Sequence, residues 1–385
     1  MSISRTAGPV VGMVGGGQLA RMTHQAAIDL GIELLVLARS ERDAAVSAGS
    51  RALFGEPDSP SALAELADRC DVVTFDHEHV PAELAVQLAR SGHIVRPAGS
   101  ALKAAQDKLF ARELFRSAGF PVPAYRGLGA DVRTEVERFA AEHGWPVVLK
   151  ARSGGYDGRG VEVVAGLDDL DAAVRGIAPG ALMVEAHVAI AQELAVVGAR
   201  TPSGLWTAYP PVATFQVDGT CREAVMPAPV DPPVAARAER LARSLADSID
   251  AVGVFVAELF VTSSDQLVIN EVALRPHNSG HATIEAAVTS QFHNHLRAVL
   301  DWPLGDTALR APAAAMVNVL GGPTGVDPRD HLAEALAVGG ASVHLYAKDA
   351  APGRKLGHVT ALGSTVERAL GVARRAAAAL AGESC

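Results

Sequence analysis

Between residues 9 and 75 the chain switches back and forth between two hydrophobic periods, and few folds accommodate that. Residues 9–14 form a continuous apolar run of strand length, residues 18–30 carry apolar side chains at helical spacing, and residues 32–37 return to a strand pattern. A helix over 61–69 and a strand over 71–75 continue the alternation. Apolar strands separated by helices predict a parallel sheet covered on both faces. The first strand runs into Gly15-Gly16-Gly17-Gln18-Leu19-Ala20, which matches G-x-G-x-x-A. Backbone amides at such a helix start are anion donors, so a dinucleotide site is one reading. The second strand, however, ends in Ala38-Arg39-Ser40 and lacks the acid that would take ribose hydroxyls. Arg39 would suit a 2′-phosphate, which leaves an NADP oxidoreductase open beside a glycine turn that serves only packing.

Composition narrows the classes. With 385 residues, 49% hydrophobic and 20% charged, the chain can build several packed subdomains and is not disordered in bulk. A net charge of −9 argues against a general nucleic-acid binder but permits a local basic pocket. Cys70, Cys221 and Cys385 form no CxxC pair, so neither a zinc site nor a disulfide framework is expected, and a cytoplasmic location is. The N-terminus does not read as a signal peptide, and no apolar run approaches the roughly 18 residues of a membrane span.

Further along, residues 103–118 read as one helix ending before Gly119, Pro121 and Pro123. A small α+β unit follows. Its strand 146–150 ends in Lys150 and enters the loop Ser153-Gly154-Gly155-Tyr156-Asp157-Gly158-Arg159-Gly160, before strands at 161–164 and 181–185. Four glycines give that loop the permissive backbone of a lid over phosphates, with Lys150 as a point charge beneath it. An ordinary exposed hairpin fits the same residues about as well. The loop is no Walker A motif, because no G-K-[ST] ends it.

Longer strands at 193–198, 254–261 and 267–272 accompany a helix over 233–248. The tail has short strands at 315–320 and 342–346, a Pro352-Gly353 turn and an Ala-rich final helix. Strands 254–261 and 267–272 read as an antiparallel hairpin. A tight turn centred on Ser264-Asp265 would set Glu258 directly opposite Glu271, whereas a one-residue shift would oppose Glu258 to Asn270. Like charges facing each other across a ladder are unfavourable without a counter-ion. Magnesium, which takes carboxylate oxygens together with nucleotide phosphates, is the natural one. The polar cluster Arg275, His277, Asn278, Ser279 and His281 follows directly, and it reads as substrate contacts or loop packing rather than a zinc helix.

Together these blocks resemble the ATP-grasp superfamily, and within it the 5-(carboxyamino)imidazole ribonucleotide synthases, over nearly the whole chain. The specific matches are Gly15 to Met22, Gln106-Asp107-Lys108, Lys150 with Gly154 to Gly160, Asn270-Glu271 with Arg275 to His281, and Pro352 to His358. The resemblance implies an α/β fold with α+β elements. An N-terminal Rossmann-like domain would span 1–104, a small lid subdomain 105–188, a large subdomain with a central mixed sheet 189–310, and a small β-rich C-terminal domain 311–385.

It also implies roles. Lys103 and Lys150 would contact ATP phosphates, under a lid of Gly155, Tyr156, Asp157, Gly158, Arg159, Gly160 and Val161. Glu185, Ala186, His187 and Val188 would form the adenine hinge, and Glu193 would hold the ribose. Glu258 and Glu271, with Asn270 beside them, would carry two magnesium ions, replaceable by manganese. Gln18, Leu19, Glu78, Tyr156, Arg159 and Asn278 would lie at the aminoimidazole ribonucleotide, and Lys348, Arg354 and Lys355 at its 5′-phosphate. Lys150, Arg275, Tyr156 and Asp157 would act at the reacting centre, where bicarbonate is phosphorylated to carboxyphosphate before carboxyl transfer to the amine. Asp76 departs from the glutamate that many relatives carry, so Glu78 is the stronger substrate contact. A homodimer is the family expectation; neither nucleic acid nor membrane is an expected partner. The rivals are the formate-dependent glycinamide ribonucleotide transformylase, biotin carboxylase, an NADP oxidoreductase and a non-catalytic ATP-binding regulator.

Overall fold

Val11 and Met13 turn to one side of the first strand and Val14 to the other, and each side meets a different layer of apolar side chains. The strand Val10–Val14 lies inside a four-stranded parallel sheet, between Glu33–Ala38 and Val72–Phe75, with Arg51–Phe54 at one edge. Helix Gln18–Leu30 covers Val11 and Met13 with Met22, Ala26 and Ala27, and helix Pro60–Ala67 brings Leu63 and Leu66 to the Val14 side. The alternation in the sequence therefore has the outcome it predicted. The computed structural model describes residues 8–155, 158–177, 180–323 and 325–383.

A second four-stranded sheet is built from Tyr125–Gly127, Leu182–Ala186, Val147–Ala151 and Val161–Val164, antiparallel throughout. Helices Val132–His143 and Leu167–Gly176 close its apolar face through Val136, Phe139 and Leu170. The third sheet has nine strands; among the described residues Trp206–Ala208 pairs only with Ile190–Arg200, and the path of the other eight begins Leu267–Ala273, Gly253–Thr262, Ile190–Arg200, Val212–Val217, Thr220–Met226. It continues without a break into Ala313–Leu320, Lys355–Gly363 and Ala341–Leu345, so the tail strands extend the central sheet through Thr220–Met226. Where a mixed sheet was expected, every described pair in it is antiparallel, both where a hairpin joins the two strands and where they are distant in sequence.

The helix expected over 103–118 is two helices, Gly99–Gln106 and Lys108–Ser117. Asp107 between them is extended, and its carboxylate accepts from the Leu109 and Phe110 amides as an N-cap. Arg152 holds the same carboxylate at 2.6 Å, fastening this joint to the small sheet. His295 makes a second joint. Its Nδ1 accepts from the Val254 N–H at 3.1 Å while Nε2 pairs with Thr74 Oγ1 at 3.0 Å, tying the parallel sheet to the large one. Among the described residues no helix is long and apolar enough to cross a membrane.

Candidate active site

The turn of the carboxylate hairpin closes on Thr262 and Gln266, with Asp265 at φ 58°, and pairs Val261 with Leu267 and Leu259 with Ile269. That register, continued, would set Glu258 against Asn270. A bulge between Glu258 and Leu259 instead leaves Asn270 as the extra residue and restores Glu258 opposite Glu271. The expected pairing is correct, but a bulge produces it rather than a turn centred on Ser264-Asp265. Bulges re-aim side chains beside sites, and this one places the two acids on one face with Asn270 at their side. The next strand adds Glu193, which pairs with Phe260, two residues from Glu258 and therefore on the same face.

Lys150 arrives at this face from the small sheet. Its ammonium lies 2.7 Å from Glu185 Oε2 and 3.4 Å from Asn270 Oδ1, so it joins two sheets that are far apart in sequence. Burial pushes the lysine below its ordinary pKa, and Glu185 opposes that push. Glu185, itself buried, is held down by Lys150 and Arg112 against its own desolvation. Arg112 donates from Nε to Glu185 Oε1 at 2.7 Å and from a terminal nitrogen to the Asn270 carbonyl at 2.6 Å. Lys108 Nζ sits 2.7 Å from Glu271 Oε2, and chiefly through that charge it draws Glu271 down to about 2. Glu193 is shifted up by burial while Thr214 and Gln216 hydrogen-bond it.

Glu258 and Glu271 offer an oxygen-only donor set, the chemistry that a small hard cation takes. Among the described residues no group of three or more His, Cys, Asp or Glu is placed to hold a metal unaided. The remaining ligands would therefore be water and phosphate, as magnesium prefers. His277, beyond the hairpin, sets Nε2 3.1 Å from Glu258 Oε1 and Nδ1 2.9 Å from Ser279 Oγ.

Arg275 reaches across to the parallel sheet, where its Nε meets Glu78 Oε2 at 2.7 Å. Lys348 Nζ donates to Gln18 Oε1 at 2.5 Å, joining the tail to the first helix. Among the described residues, nothing partners either side-chain polar atom of Asn278 or Oε1 of Glu78, and all three atoms are buried. Unpartnered buried polar atoms are costly, and a polar ligand would relieve them. Leu19 is buried in the apolar core, so only its backbone is available to a substrate. Arg354 is exposed and bonds the Asp349 carbonyl at 3.1 Å, and Lys355 opens the strand that follows.

The glycine turn follows a strand and opens a helix as a dinucleotide site does, but its place for a phosphate is already taken. Gly17 N–H already donates to Asp76 Oδ2 at 2.9 Å, and a Cβ on Gly15 would stand 1.7 Å from Asp76 Oδ1. A phosphate would have to share that place with a carboxylate. Arg39, the residue left for a 2′-phosphate, pairs with Glu56 at 2.9 Å.

In the lid, Gly155 packs against the Arg159 carbonyl, Gly160 accepts from the Ala151 N–H at 2.8 Å, and Val161 pairs with Lys150. Gly158 lies against Gly219 at the tip of the hairpin Val212–Val217 and Thr220–Met226: a Cβ on either would come within 2.7 Å of the other's Cα. Tyr156 and Asp157 lie outside the described residues. Ala186 ends its strand, and His187 and Val188 continue outside any strand before Ile190. Lys103 is exposed, 4.6 Å from the Phe110 ring centre, on a cleft of about 380 Å³ shared with Gly99 and Ser100.

With this geometry in place, comparison with known proteins is decisive. The ATP-grasp domain model matches residues 113–292, the ribonucleotide synthetase preATP-grasp domain 9–106, and the phosphoribosylaminoimidazole carboxylase C-terminal domain 314–371. The N5-carboxyaminoimidazole ribonucleotide synthase of Mycobacterium bovis is 48% identical over 364 residues, 93% of this chain and 84% of that protein. The chain belongs to the N5-carboxyaminoimidazole ribonucleotide synthase family. Two crystal structures from Aspergillus clavatus show the same fold. The carboxyaminoimidazole ribonucleotide synthase complexed with ATP has a TM-score of 0.90 at 34% identity, covering 98% of this chain and 99% of that one. The N5-carboxyaminoimidazole synthase in complex with ADP and 5-aminoimidazole ribonucleotide gives 0.89 at 34%, covering 97% and 98%.

Against that family frame, the sequence reading missed Lys108 as the partner of Glu271 and Arg112 altogether. Lys108 stood inside the quoted block Gln106-Asp107-Lys108, but nothing local points a lysine toward a strand more than 150 residues away. Arg112 had a signal of its own, as a charged residue on the side of a helix that also carries the buried Ala111 and Phe115. Glu185 was assigned to the hinge, whereas its side chain also anchors Lys150.

Proposed function

We propose that this chain carboxylates 5-aminoimidazole ribonucleotide on its amino nitrogen, using ATP and bicarbonate and releasing ADP and phosphate, as a ligase of purine biosynthesis. The observation that carries this reading is the Arg275–Glu78 pair. It brings the end of the carboxylate hairpin, with Lys150 and Asn270, to the parallel sheet, where Gln18 and Lys348 meet. A nucleotide bound at the first group and a ribonucleotide at the second would face each other across Arg275.

In this reading a bicarbonate oxygen attacks the γ-phosphorus and ADP leaves, giving carboxyphosphate. The substrate amine then attacks the carboxyl carbon, phosphate leaves, and the amine proton passes to Asp157 or to that phosphate. Such chemistry asks the protein mainly for positioning and charge neutralisation. Lys150 and Arg275 supply fixed positive charge. Glu258 and Glu271 would hold two magnesium ions, replaceable by manganese, which when bound neutralise phosphate charge. His277 holds Glu258 in orientation. Lys103, residues 155–161 and 185–188, and Glu193 enclose the nucleotide in the same reading. Gln18, Leu19, Glu78, Tyr156, Arg159, Asn278, Lys348, Arg354 and Lys355 take the ribonucleotide. The four-part division at 104/105, 188/189 and 310/311, a homodimer and a cytoplasmic setting belong to it as well.

The test is ADP release with ATP, magnesium, bicarbonate and aminoimidazole ribonucleotide, omitting each in turn. Loss of release on omission of any one is expected. Dependence on formate and glycinamide ribonucleotide instead would move the assignment to the transformylase.

A further inference from the structure

Gln291 opens the helix Gln291–Val299, and its side chain is completely buried. Its amide runs antiparallel to the backbone of His277. His277 N–H donates to Gln291 Oε1 at 2.9 Å, and Gln291 Nε2 donates back to the His277 carbonyl at 2.7 Å. The second Nε2 hydrogen points to His281 Nδ1 at 3.3 Å. Both donors and the acceptor of one carboxamide are therefore spent on a single loop.

The surroundings are shaped to keep it there. Gln291 N–H donates to Thr283 Oγ1 at 3.0 Å, and that hydroxyl donates to the Gly280 carbonyl at 2.6 Å. A Cβ on Gly280 would stand 2.4 Å from Gln291 Oε1, so the glycine is the clearance through which the amide reaches the loop. The loop held in this way carries His277, whose ring meets Glu258 at 3.1 Å. No other side chain substitutes. Asparagine is one methylene short, glutamate lacks the donor, and methionine has the length without the polar atoms.

We infer that Gln291 is a positioning residue: by pairing with both backbone groups of His277 it fixes that ring against Glu258 and so sets the orientation of the carboxylate at the nucleotide end of the site. The inference rests on the reading of Glu258 given above. Misplacement of about 1 Å at a reacting centre can cost 10²-fold. Gln291→Met should accordingly lower kcat about 10- to 100-fold.

The deciding experiment is a double-mutant cycle of Gln291→Met with His277→Ala, read as ADP release, with Gln291→Glu as a second variant in case the first does not fold. If Gln291 acts through His277, the double variant is no slower than His277→Ala alone. Multiplying losses would overturn the inference. A turnover-free readout separates it from the proposed activity. The imidazole resonances of ring-labelled His277 should shift in Gln291→Met or Gln291→Glu, and unchanged resonances would overturn it even in a fully active enzyme. Wild-type protein that releases no ADP with these substrates would sink the activity and leave the ring-resonance test to decide the positioning.

Discussion

Lys108 Nζ lies 2.7 Å from Glu271 Oε2, so the acid proposed to carry a metal already has a cation of the protein's own beside it. Two acids facing across a ladder repel. Lys108 on one and His277 on the other are what make the pairing tolerable in the free protein. Removing the Glu271 carboxylate altogether would strand Lys108, whose side chain is only 17% exposed, and confuse stability with chemistry. Glu271→Gln keeps the shape and an acceptor for Lys108 while losing the charge. It should lower the rate of ADP release about 10²- to 10³-fold, the usual loss for one preorganised charge. Retention of most of the wild-type kcat would refute the role given to Glu271.

The Arg275–Glu78 pair makes a second case. Arg275→Ala should cost a similar factor of about 10²–10³ in kcat/KM, because it removes the fixed charge and also leaves Glu78 unpaired. Arg275→Lys should recover little, since an ammonium lacks the rigid planar fork that reaches Glu78 and a transferring group together. Steady-state kinetics with aminoimidazole ribonucleotide varied at saturating ATP would check both, and full recovery by lysine would show that charge alone suffices.

Contact between Gly158 and Gly219 predicts how the lid rests on the large sheet. Gly219 has φ 71° and Gly204 has φ 86°, so alanine strains the backbone at either position. Only at Gly219 would the new methyl also meet the lid; at Gly204 nothing lies within 4 Å. Both variants should melt a few degrees early, while the KM for ATP rises several-fold in Gly219→Ala alone. An equal rise in Gly204→Ala would assign the effect to strain rather than to the lid.

These cases show where the sequence was legible. The alternating periods before residue 75 specify the parallel sheet because the three strands they mark are buried on both faces, whereas the edge strand Arg51–Phe54, partly exposed, carries no such run. Glu258 and Glu271 stood out because acids interrupt apolar strands. The bulge that aligns them left no trace, since Asn270 reads the same in or out of register. The break at Asp107 was visible as an N-cap residue but was passed over inside a good helical pattern. Lys108, Arg112 and Gln291 act on partners remote in the chain, which spacing does not reveal. The hairpin over 212–226 was missed because its turn, Asp218-Gly219, lies between strands of irregular pattern whose outer ends are exposed.

His295 supplies a prediction about stability alone. Buried between Val254 N–H and Thr74 Oγ1, it is held neutral, with its pKa pushed down to about 3 from an ordinary 6.5 by desolvation. Below pH 6.5 the unfolded chain takes up a proton at this residue that the folded chain refuses. Stability therefore rises with pH between about 3 and 6.5, and falls as the pH drops below 6.5. From pH 7 to pH 5 the loss from this one group is about 2 kcal/mol, at 1.36 kcal/mol for each pKa unit. His281 and His358 are also held below their ordinary range by burial and add slopes of the same sign, so the wild-type curve alone does not isolate His295. His295→Gln can accept from Val254 and donate to Thr74 without titrating. Urea unfolding at pH 7 and pH 5 should show the variant losing about 2 kcal/mol less than the wild type over that interval. Parallel losses would mean that His295 does not resist protonation in the folded chain.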